Sequence, residues 1–475
     1  MSARRLFGIG SLALAAAAFA TRSSQSLGYD ELFTVWVSSR PLADLVHQAN
    51  LDGFTPPLFY ALVKLVSLAG LSNEDLRALP VVLAGLAAYL GLRASERLFG
   101  PASRRVALLL IPGSAYLFTF AHELRPYSAL LGCGFFFLGH LGGTTSEKSD
   151  RQAALAALLG TSLSYLGLSM VALWFVECRR RCARSHLVLV GLLAGVLCAP
   201  GLLKAFTLAA SSVDSRIAWS ERRPALSSVF FGLVPAPFDA RIEALSLIVL
   251  AALLFSACYP KRLPTLAFPA RAFVVFTLVL LGLDAFMPIG FAPRYFALSM
   301  SALLLLMAGA LTRLGRAGLL VALVLLGLNG LAVLRYLTVL PSAREDWRGA
   351  MGRLEGRLSP EGVLLAFPFH HAAVAAHAYA PRLVIGGGYT SRTGPVFWYE
   401  PPAAFGGYSF AGLKRIDDAG TLFGRFAPGS DLCVLTDEPD VRKTAALLGA
   451  FEALGGVEPF DTGDPRLRAF CRTRG

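Results

Sequence analysis

The chain has 475 residues, of which 55% are hydrophobic and only 16% charged, and its mean hydropathy is +0.58. This balance excludes a soluble enzyme and indicates an α-helical protein that crosses a membrane many times. The net charge of +13 lies entirely before Pro341, because the remaining tail carries 15 basic and 15 acidic residues. A nucleic-acid-binding protein concentrates basic residues on a soluble surface, so we expect no nucleic-acid partner here, but short basic loops in the cytoplasm.

The first hydrophobic segment, Leu6 to Ala20, follows Arg4 and Arg5. The positive-inside rule therefore places the N-terminus in the cytoplasm and Asp30-Glu31 on the outer face. Ala18-Phe19-Ala20 also resembles a signal-peptidase site. We expect the segment to stay in place as an anchor, because the loop behind it needs to be held at the bilayer.

The first external loop, residues 21–77, is long for a simple connection. Asp30 is placed to cap a short helix, and Pro41 suits the first turn of another. Thr55-Pro56-Pro57 breaks the chain before an apolar helix that we expect to lie in the membrane interface. The predicted helices of this loop are Glu31 to Ser38, Pro41 to Ala49 and Leu58 to Leu71.

Basic loops determine the direction of the later segments. Between Lys148-Arg151 and Arg179-Arg181 lies one apolar stretch, Ala153 to Val176, although both loops belong on the inside. Its 24 residues are too few for two full crossings of roughly 20 residues each, so we predict a short helical hairpin that turns near Tyr165 to Ser169. The other predicted segments are Leu79 to Leu92, Val106 to Ala121, Tyr127 to Leu141, Leu187 to Leu208, Ile242 to Cys258, Ala272 to Met287, Phe296 to Leu311 and Ala317 to Leu337.

The predicted fold is thus a polytopic helical module, residues 1–340, with about 11 membrane segments and an external loop over residues 209–241. Residues 341–475 alternate between strand and helix patterns and predict an external, soluble α/β domain. Gly386-Gly387-Gly388 is interpreted as a loop. Cys433 and Cys471 are either a disulfide, if the tail is external, or two buried thiols. The predicted tail elements are the strands Val363 to Phe367, Leu432 to Thr436 and Leu467 to Cys471, and the helices His371 to Ala380 and Val441 to Leu454.

Acidic residues on the outer face suit sugar transfer from a lipid-linked donor, because the acceptor hydroxyl must lose a proton as it attacks. Asp30 is the candidate general base, and its alternative role is that of a helix N-cap. Glu31 is expected to orient the acceptor or to help hold a divalent cation. Glu123 and Asp52 are secondary acidic candidates, and the alternative is that both are simply solvated carboxylates.

A polyprenyl phosphate leaving group needs a cation beside it. Arg125 and Arg294 are the candidates, because a guanidinium can donate two hydrogen bonds at once to a pair of phosphate oxygens. Tyr127 and Tyr295 add hydroxyl donors. Lys64 is a further candidate for the donor phosphate. The alternative for each residue is anchoring at the membrane boundary.

Neither the cysteines nor the histidines of the chain suggest a metal site. Cys178 and Cys182 flank Arg179-Arg181 in a loop predicted to be cytoplasmic and reduced, and no Cys-x-x-Cys pair has metal-site spacing. His371 and His377, in the tail with His370, are not four residues apart on one helix face. A Mg²⁺ or Mn²⁺ cofactor at the acidic pair is left open.

Several of these motifs also carry a family resemblance. Tyr29-Asp30-Glu31, Pro56 to Tyr60, Glu123 to Tyr127 and Pro293 to Tyr295 occur in this order, and Glu345 to Arg348 opens the tail. In this the chain resembles the GT-C superfamily of membrane glycosyltransferases, especially protein O-mannosyltransferases and lipid A aminoarabinose transferases. The relatives often carry His or Lys before the paired prolines, where Thr55 stands here.

The resemblance implies an inverting glycosyltransferase of the bacterial inner membrane that uses a polyprenyl-phosphate sugar on the periplasmic face. The acceptor is a lipid, glycan or protein of the cell envelope, and neither it nor the sugar follows from the sequence. One alternative is a flippase for lipid-linked sugars, but we find no internal repeat of the kind that transporters carry. Another is an O-antigen polymerase or ligase type of enzyme with a diphosphate-linked donor.

Overall fold

A computed structural model gives the fold, which divides into two compact units. The first unit includes Pro41–Leu340, and the second combines Ser24–Arg40 with Pro341–Gly475. The predicted segments Leu6 to Ala20 and Ile242 to Cys258 and the predicted loop 209–241 lie wholly or mostly outside the described residues. The structure describes residues 26–52, 55–143, 146–210, 264–286, 293–343, 345–367, 369–390, 397–403, 414–416, 431–436, 448–449, 451–453 and 455–472.

The described part of the first unit is helical. Its shorter helices reflect breaks in the apolar pattern, as at Pro112-Gly113, which divides the predicted segment Val106 to Ala121 into two helices. The helices are α2 (Leu42–Asp52), α3 (Pro57–Ser67), α4 (Ala78–Phe99), α5 (Ser103–Leu110), α6 (Ala115–Ala121), α7 (Tyr127–Leu141), α8 (Glu147–Leu163), α9 (Leu168–Cys178), α10 (Arg184–Ala210), α11 (Pro264–Phe286), α12 (Ala297–Arg313) and α13 (Gly315–Ala343).

Five helices among the described residues are long and apolar enough to cross a membrane. This supports a helical membrane protein, while the total of 11 segments stays a prediction. The five are Asp75–Phe99, Arg184–Leu203, Thr265–Gly282, Arg294–Arg313 and Gly315–Thr338. Many of their leucines and valines are exposed, as expected of side chains that face lipid.

The predicted hairpin is confirmed. Helices α8 and α9 pack together and are joined by a 3₁₀ turn at Tyr165–Gly167. Gly167 lies so close to the preceding helix that a Cβ atom there would be 2.2 Å from the Thr161 backbone nitrogen. Helix α8 starts at Glu147, earlier than predicted, because the Ser146 hydroxyl caps it by accepting from Ser149 N at 3.2 Å.

Basic loops that are distant in sequence meet at one end of the first unit. His140, near the end of α7, contacts Arg97 from α4. Arg271 of α11 pairs with Glu177 of α9 at 3.1 Å. Arg313, the last residue of α12, contacts Thr265 near the start of α11. Since α7 and α12 both end here, the residues that precede them lie at the opposite end. We refer to these as the basic end and the opposite end.

The second unit contains a seven-stranded sheet of order β4-β3-β2-β1-β5-β7-β6. Strands β2, β1 and β5 are parallel, and the flanking strands are antiparallel. The strands are β1 (Val363–Phe367), β2 (Val384–Thr390), β3 (Phe397–Ala403), β4 (Lys414–Ile416), β5 (Leu432–Thr436), β6 (Val457–Phe460) and β7 (Arg468–Arg472), and the helices are α1 (Tyr29–Ser39), α14 (Trp347–Arg357) and α15 (Phe369–Tyr379).

The structure confirms the predicted strands β1 and β5 and places β7 within one residue of its prediction. The interpretation of Gly386-Gly387-Gly388 as a loop is wrong, because all three glycines belong to β2. Gly386 and Gly387 pair with Leu365 and Ala366 of β1, and Gly388 pairs with Tyr399 of β3. Glycine lacks strand propensity, so only the neighbouring strand reveals them. Most of the predicted helix Val441 to Leu454 lies outside the described residues.

Cys433 and Cys471 face each other across β5 and β7 and form a disulfide. The open choice between a bridge and two thiols is thereby decided in favour of the bridge. The pairing depends on the register of two antiparallel strands 38 residues apart in sequence.

Helix α1 groups with the tail and not with the rest of the first loop, since Ser24–Arg40 belongs to the second unit. Leu27 N donates to the Tyr379 hydroxyl at 3.0 Å, and the Tyr29 ring lies 4.1 Å from the His371 ring. Ser39 Oγ is hydrogen-bonded to His377 Nε2 at 3.1 Å. These contacts with α15 were invisible in the sequence because they join residues more than 300 positions apart.

Candidate active site

The acidic pair Asp30-Glu31 occupies the first turn of α1. Gly28, and not Asp30, is the N-cap, so the expectation that Asp30 caps this helix is wrong. Glu31 takes the capping role instead: it is 3% exposed, and its Oε2 accepts a hydrogen bond from Gly28 N at 3.0 Å. A carboxylate in the first turn also complements the helix dipole. The half-buried Asp30 is the member of the pair that this cap does not use.

Arg125 and Tyr127 lie at the turn between α6 and α7, at the opposite end of the first unit. The turn is tight, since Arg125 N donates to Glu123 O at 2.7 Å. It buries both side chains: Arg125 is 8% exposed and Tyr127 is 4% exposed. Glu123 is half-buried.

Arg294 and Tyr295 lie in a 3₁₀ turn, Pro293–Phe296, directly before α12. The Arg294 guanidinium carbon is 5.4 Å from the centre of the Tyr295 ring. The hydroxyl of Tyr116, on α6, donates to the carbonyl oxygen of Arg294 at 3.2 Å. Tyr116 thus holds the turn in place, a role that nothing in the local sequence indicated.

The two Arg/Tyr pairs come together in the structure. The rings of Tyr127 and Tyr295 make an edge contact with centres 6.4 Å apart. We call Arg125, Tyr127, Arg294 and Tyr295 the Arg/Tyr cluster. A guanidinium stays protonated even when buried, so the cluster carries fixed positive charge in a region of low dielectric constant. Such a group attracts phosphate strongly.

The hairpin also reaches the Arg/Tyr cluster. Leu166 and Ser169, at the turn between α8 and α9, line a narrow crevice together with Tyr295 and Ser299. The turn of the hairpin therefore lies at the opposite end, and its two helix ends lie at the basic end.

Of the remaining candidates, Lys64 is half-buried in the last turn of α3. The side chain of Asp52 lies outside the described residues. Thr55 is 4% exposed and precedes Pro56, the N-cap of α3. Pro56 and Pro57 suit the start of this helix, because the N–H group that proline lacks would have no partner within the helix at these positions.

Asp346, in the motif that opens the tail, has a structural role. Its carboxylate caps α14 by accepting from Gly349 N at 3.1 Å. Its own N–H donates to Asp464 Oδ2 at 2.6 Å, and the neighbouring Trp347 is 2% exposed. The motif therefore anchors α14 to the loop before β7.

The tail histidines in the described region also make packing contacts. The His371 ring makes a tilted contact with the Tyr29 ring and lies 6.3 Å from the ring of Trp347. Burial, and then the positive charge of Arg40, lower the pKa of His377. The side chain of His370 lies outside the described residues.

The sequence matches no protein-family profile and no curated protein. Two solved structures of ArnT from Cupriavidus metallidurans share its architecture. The structure bound to undecaprenyl phosphate has a TM-score of 0.57 at 12% identity, over 98% of this chain and 97% of that one. The apo structure has a TM-score of 0.56 at 13% identity, over 100% and 99%. This chain therefore has the ArnT fold over nearly its whole length.

Proposed function

We propose that this protein is a membrane glycosyltransferase of the GT-C type that takes its sugar from a polyprenyl-phosphate donor. The observation that carries the proposal is the full-length likeness to ArnT, a lipid A aminoarabinose transferase of that superfamily, which was crystallised with undecaprenyl phosphate. The Arg/Tyr cluster supports it independently, because it supplies the buried positive charge that a phosphate leaving group requires.

The proposed reaction is a single displacement with inversion. The acceptor hydroxyl oxygen attacks the anomeric carbon and forms the new glycosidic bond. The bond from that carbon to the phosphate oxygen breaks, and polyprenyl phosphate leaves with the electron pair. Arg125 and Arg294 stabilise the charge that develops on the leaving oxygen, with the Tyr127 and Tyr295 hydroxyls as further donors.

Asp30 is the proposed general base that receives the acceptor proton. A positioned carboxylate of this kind contributes roughly 10²–10⁴-fold to the rate. The different roles of the two acidic residues support this choice, since Glu31 caps the helix that carries Asp30. Glu31 is accordingly a positioning residue in this proposal, and a divalent cation at the pair stays a further proposal.

The proposed location is the bacterial inner membrane, with the Arg/Tyr cluster and the tail on the periplasmic side. The gathering of basic loops at one end of the first unit supports a cytoplasmic basic end. The disulfide between Cys433 and Cys471 supports an oxidising compartment for the tail, because cytoplasmic thiols are kept reduced.

The test uses full-length protein with undecaprenyl-phosphate sugars, among them the aminoarabinose and mannose donors, and an envelope lipid extract as acceptor. Asp30→Asn should reduce transfer by roughly 10²-fold or more. The matched variant Glu31→Gln, which keeps an acceptor for Gly28 N, should retain far more activity. Wild-type turnover by Asp30→Asn would refute the assignment of the base.

A second arm tests the phosphate site without turnover. Binding of undecaprenyl phosphate should weaken strongly in Arg294→Gln and less in Arg294→Lys, which keeps the charge but loses paired hydrogen bonds. Unchanged binding in both variants would refute the role of the cluster. Transfer from diphosphate-linked donors alone, or lipid movement across vesicles without transfer, would favour the polymerase or flippase alternatives.

A further inference from the structure

A second cluster of reactive side chains lies at the basic end of the first unit, away from the Arg/Tyr cluster. Asp150, Cys178 and Cys182 each offer one donor atom, and these three atoms lie within 4.8 Å of one another. Cys178 is fully buried and Asp150 is 4% exposed. No other group of three or more such residues meets this spacing among the parts of the chain that the structure describes.

The local fold brings these donors together. Cys178 is the last residue of α9, and its carbonyl oxygen accepts from both Arg181 N at 2.8 Å and Cys182 N at 2.9 Å. This turn returns Cys182 to the side of Cys178. Asp150 comes from the first turn of α8, where Trp174 Nε1 donates to its carbonyl oxygen at 2.9 Å and ties the two helices together.

The cluster shows two signs that it suits a cation. The Oδ1 atom of Asp150 is buried and accepts no hydrogen bond. Its charged neighbour is Arg181, whose guanidinium lies 3.5 Å from Asp150 Oδ1 and 3.7 Å from Cys178 Sγ. A positive group therefore already stands beside these donors. Arg181 is 30% exposed, so its long side chain has room to swing away when an ion enters.

An entry path is present as well. A cavity of about 830 Å³ between α8 and α10 is lined by Asp150, Arg181, Cys182 and His186. His186 lines the same cavity and offers an imidazole on its wall. Two thiolates, a carboxylate and an imidazole or water make a four-coordinate set of the kind that Zn²⁺ prefers.

We propose that Asp150, Cys178 and Cys182 form a zinc site that holds the two ends of the α8–α9 hairpin together. Zinc binding would displace the thiol protons and exchange the guanidinium of Arg181 for the ion. The site lies at the basic end, so its role is structural or regulatory and does not depend on the proposed transferase activity.

The test is a titration of chelator-treated, reduced, full-length protein with Co²⁺, whose bonds to thiolates give charge-transfer absorption. We expect this absorption to saturate at one equivalent and to disappear when Zn²⁺ is added. Cys178→Ser/Cys182→Ser should abolish it. Cys133→Ser/Cys198→Ser, which removes the other two buried free cysteines of the described residues, should leave it intact.

A measurement on the wild-type protein covers the case in which the variants fail to fold. Zn²⁺ should slow maleimide labelling of Cys182 without changing that of Cys133 or Cys198. The proposal is wrong if no absorption forms, if it survives in Cys178→Ser/Cys182→Ser, or if labelling of Cys182 is unaffected by Zn²⁺. A disulfide between Cys178 and Cys182 in protein purified without oxidants would equally overturn it.

Discussion

The clearest energetic prediction concerns Asp464, which links α14 to the strand β7. The carboxylate is 3% exposed and accepts hydrogen bonds from Asp346 N at 2.6 Å, from Arg466 N and Nε at 2.9 Å, and from the Arg466 guanidinium at 2.6 Å. Burial by itself raises the pKa of this carboxyl. The bonds from Arg466 and from the two backbone groups outweigh burial and lower the pKa to about 2.

The magnitude follows from the difference between this pKa and the ordinary value of 3.8. Each pKa unit corresponds to about 1.4 kcal/mol, so the ionised carboxylate contributes about 2.5 kcal/mol to the stability of the tail. Because the folded pKa is depressed, this stability is fully present above pH about 4 and is lost as the pH falls towards 2. Asp464→Asn should remove it at neutral pH.

The assay is hydrogen exchange of the full-length protein, followed in peptides that cover Trp347–Arg357 and Arg468–Arg472. At pH 7, Asp464→Asn should exchange roughly 60-fold faster in these peptides, which is the factor that corresponds to about 2.5 kcal/mol. The matched control is Asp461→Asn, whose carboxylate is 85% exposed and pairs with Arg353 at the surface, and it should change little. Equal exchange in Asp464→Asn and wild type, or equal acceleration in both variants, would refute the reasoning.

Two further predictions concern helix starts and helix packing. Glu31→Ala should lower the protection of Tyr29–Ser39 against hydrogen exchange by about 1 kcal/mol, because Gly28 N loses its acceptor. Glu31→Gln keeps an acceptor and should cost less. Equal protection in both variants would contradict this role. Gly139→Ala should lower the free energy of unfolding by about 1–3 kcal/mol, because the new Cβ atom would lie 2.9 Å from Ala94 Cα. Gly85→Ala should be neutral or stabilising, because no atom lies within 4 Å of the new Cβ atom. A thermal melt that ranks the two glycine variants in the reverse order would contradict it.

Local and periodic features of the structure were predictable from the sequence. The hairpin turn at Tyr165–Gly167 followed from a count of apolar residues between two basic loops, and strands β1 and β5 followed from short apolar runs. These features depend on hydrophobic pattern and charge, which are written into neighbouring residues. The resemblance to GT-C enzymes rested likewise on the order of motifs along the chain.

The cap of helix α1 and the course of strand β2 were decided only by the three-dimensional structure. The sequence assigned the helix cap to Asp30, and the structure assigns it to Glu31, because the choice depends on a single backbone N–H. The sequence pattern placed Gly386-Gly387-Gly388 in a loop, because glycines have no strand preference without a partner strand.

The sequence by itself thus determined a helical membrane protein, the approximate ends of its helices and the residue types capable of chemistry. The tertiary structure decided which of them meet: Tyr127 with Tyr295, Cys433 with Cys471, and Asp150 with Cys178 and Cys182. The physical reason is that hydrophobic periodicity acts over one or two helical turns. Contacts between distant segments depend instead on how whole helices and strands pack, and no local pattern encodes that packing.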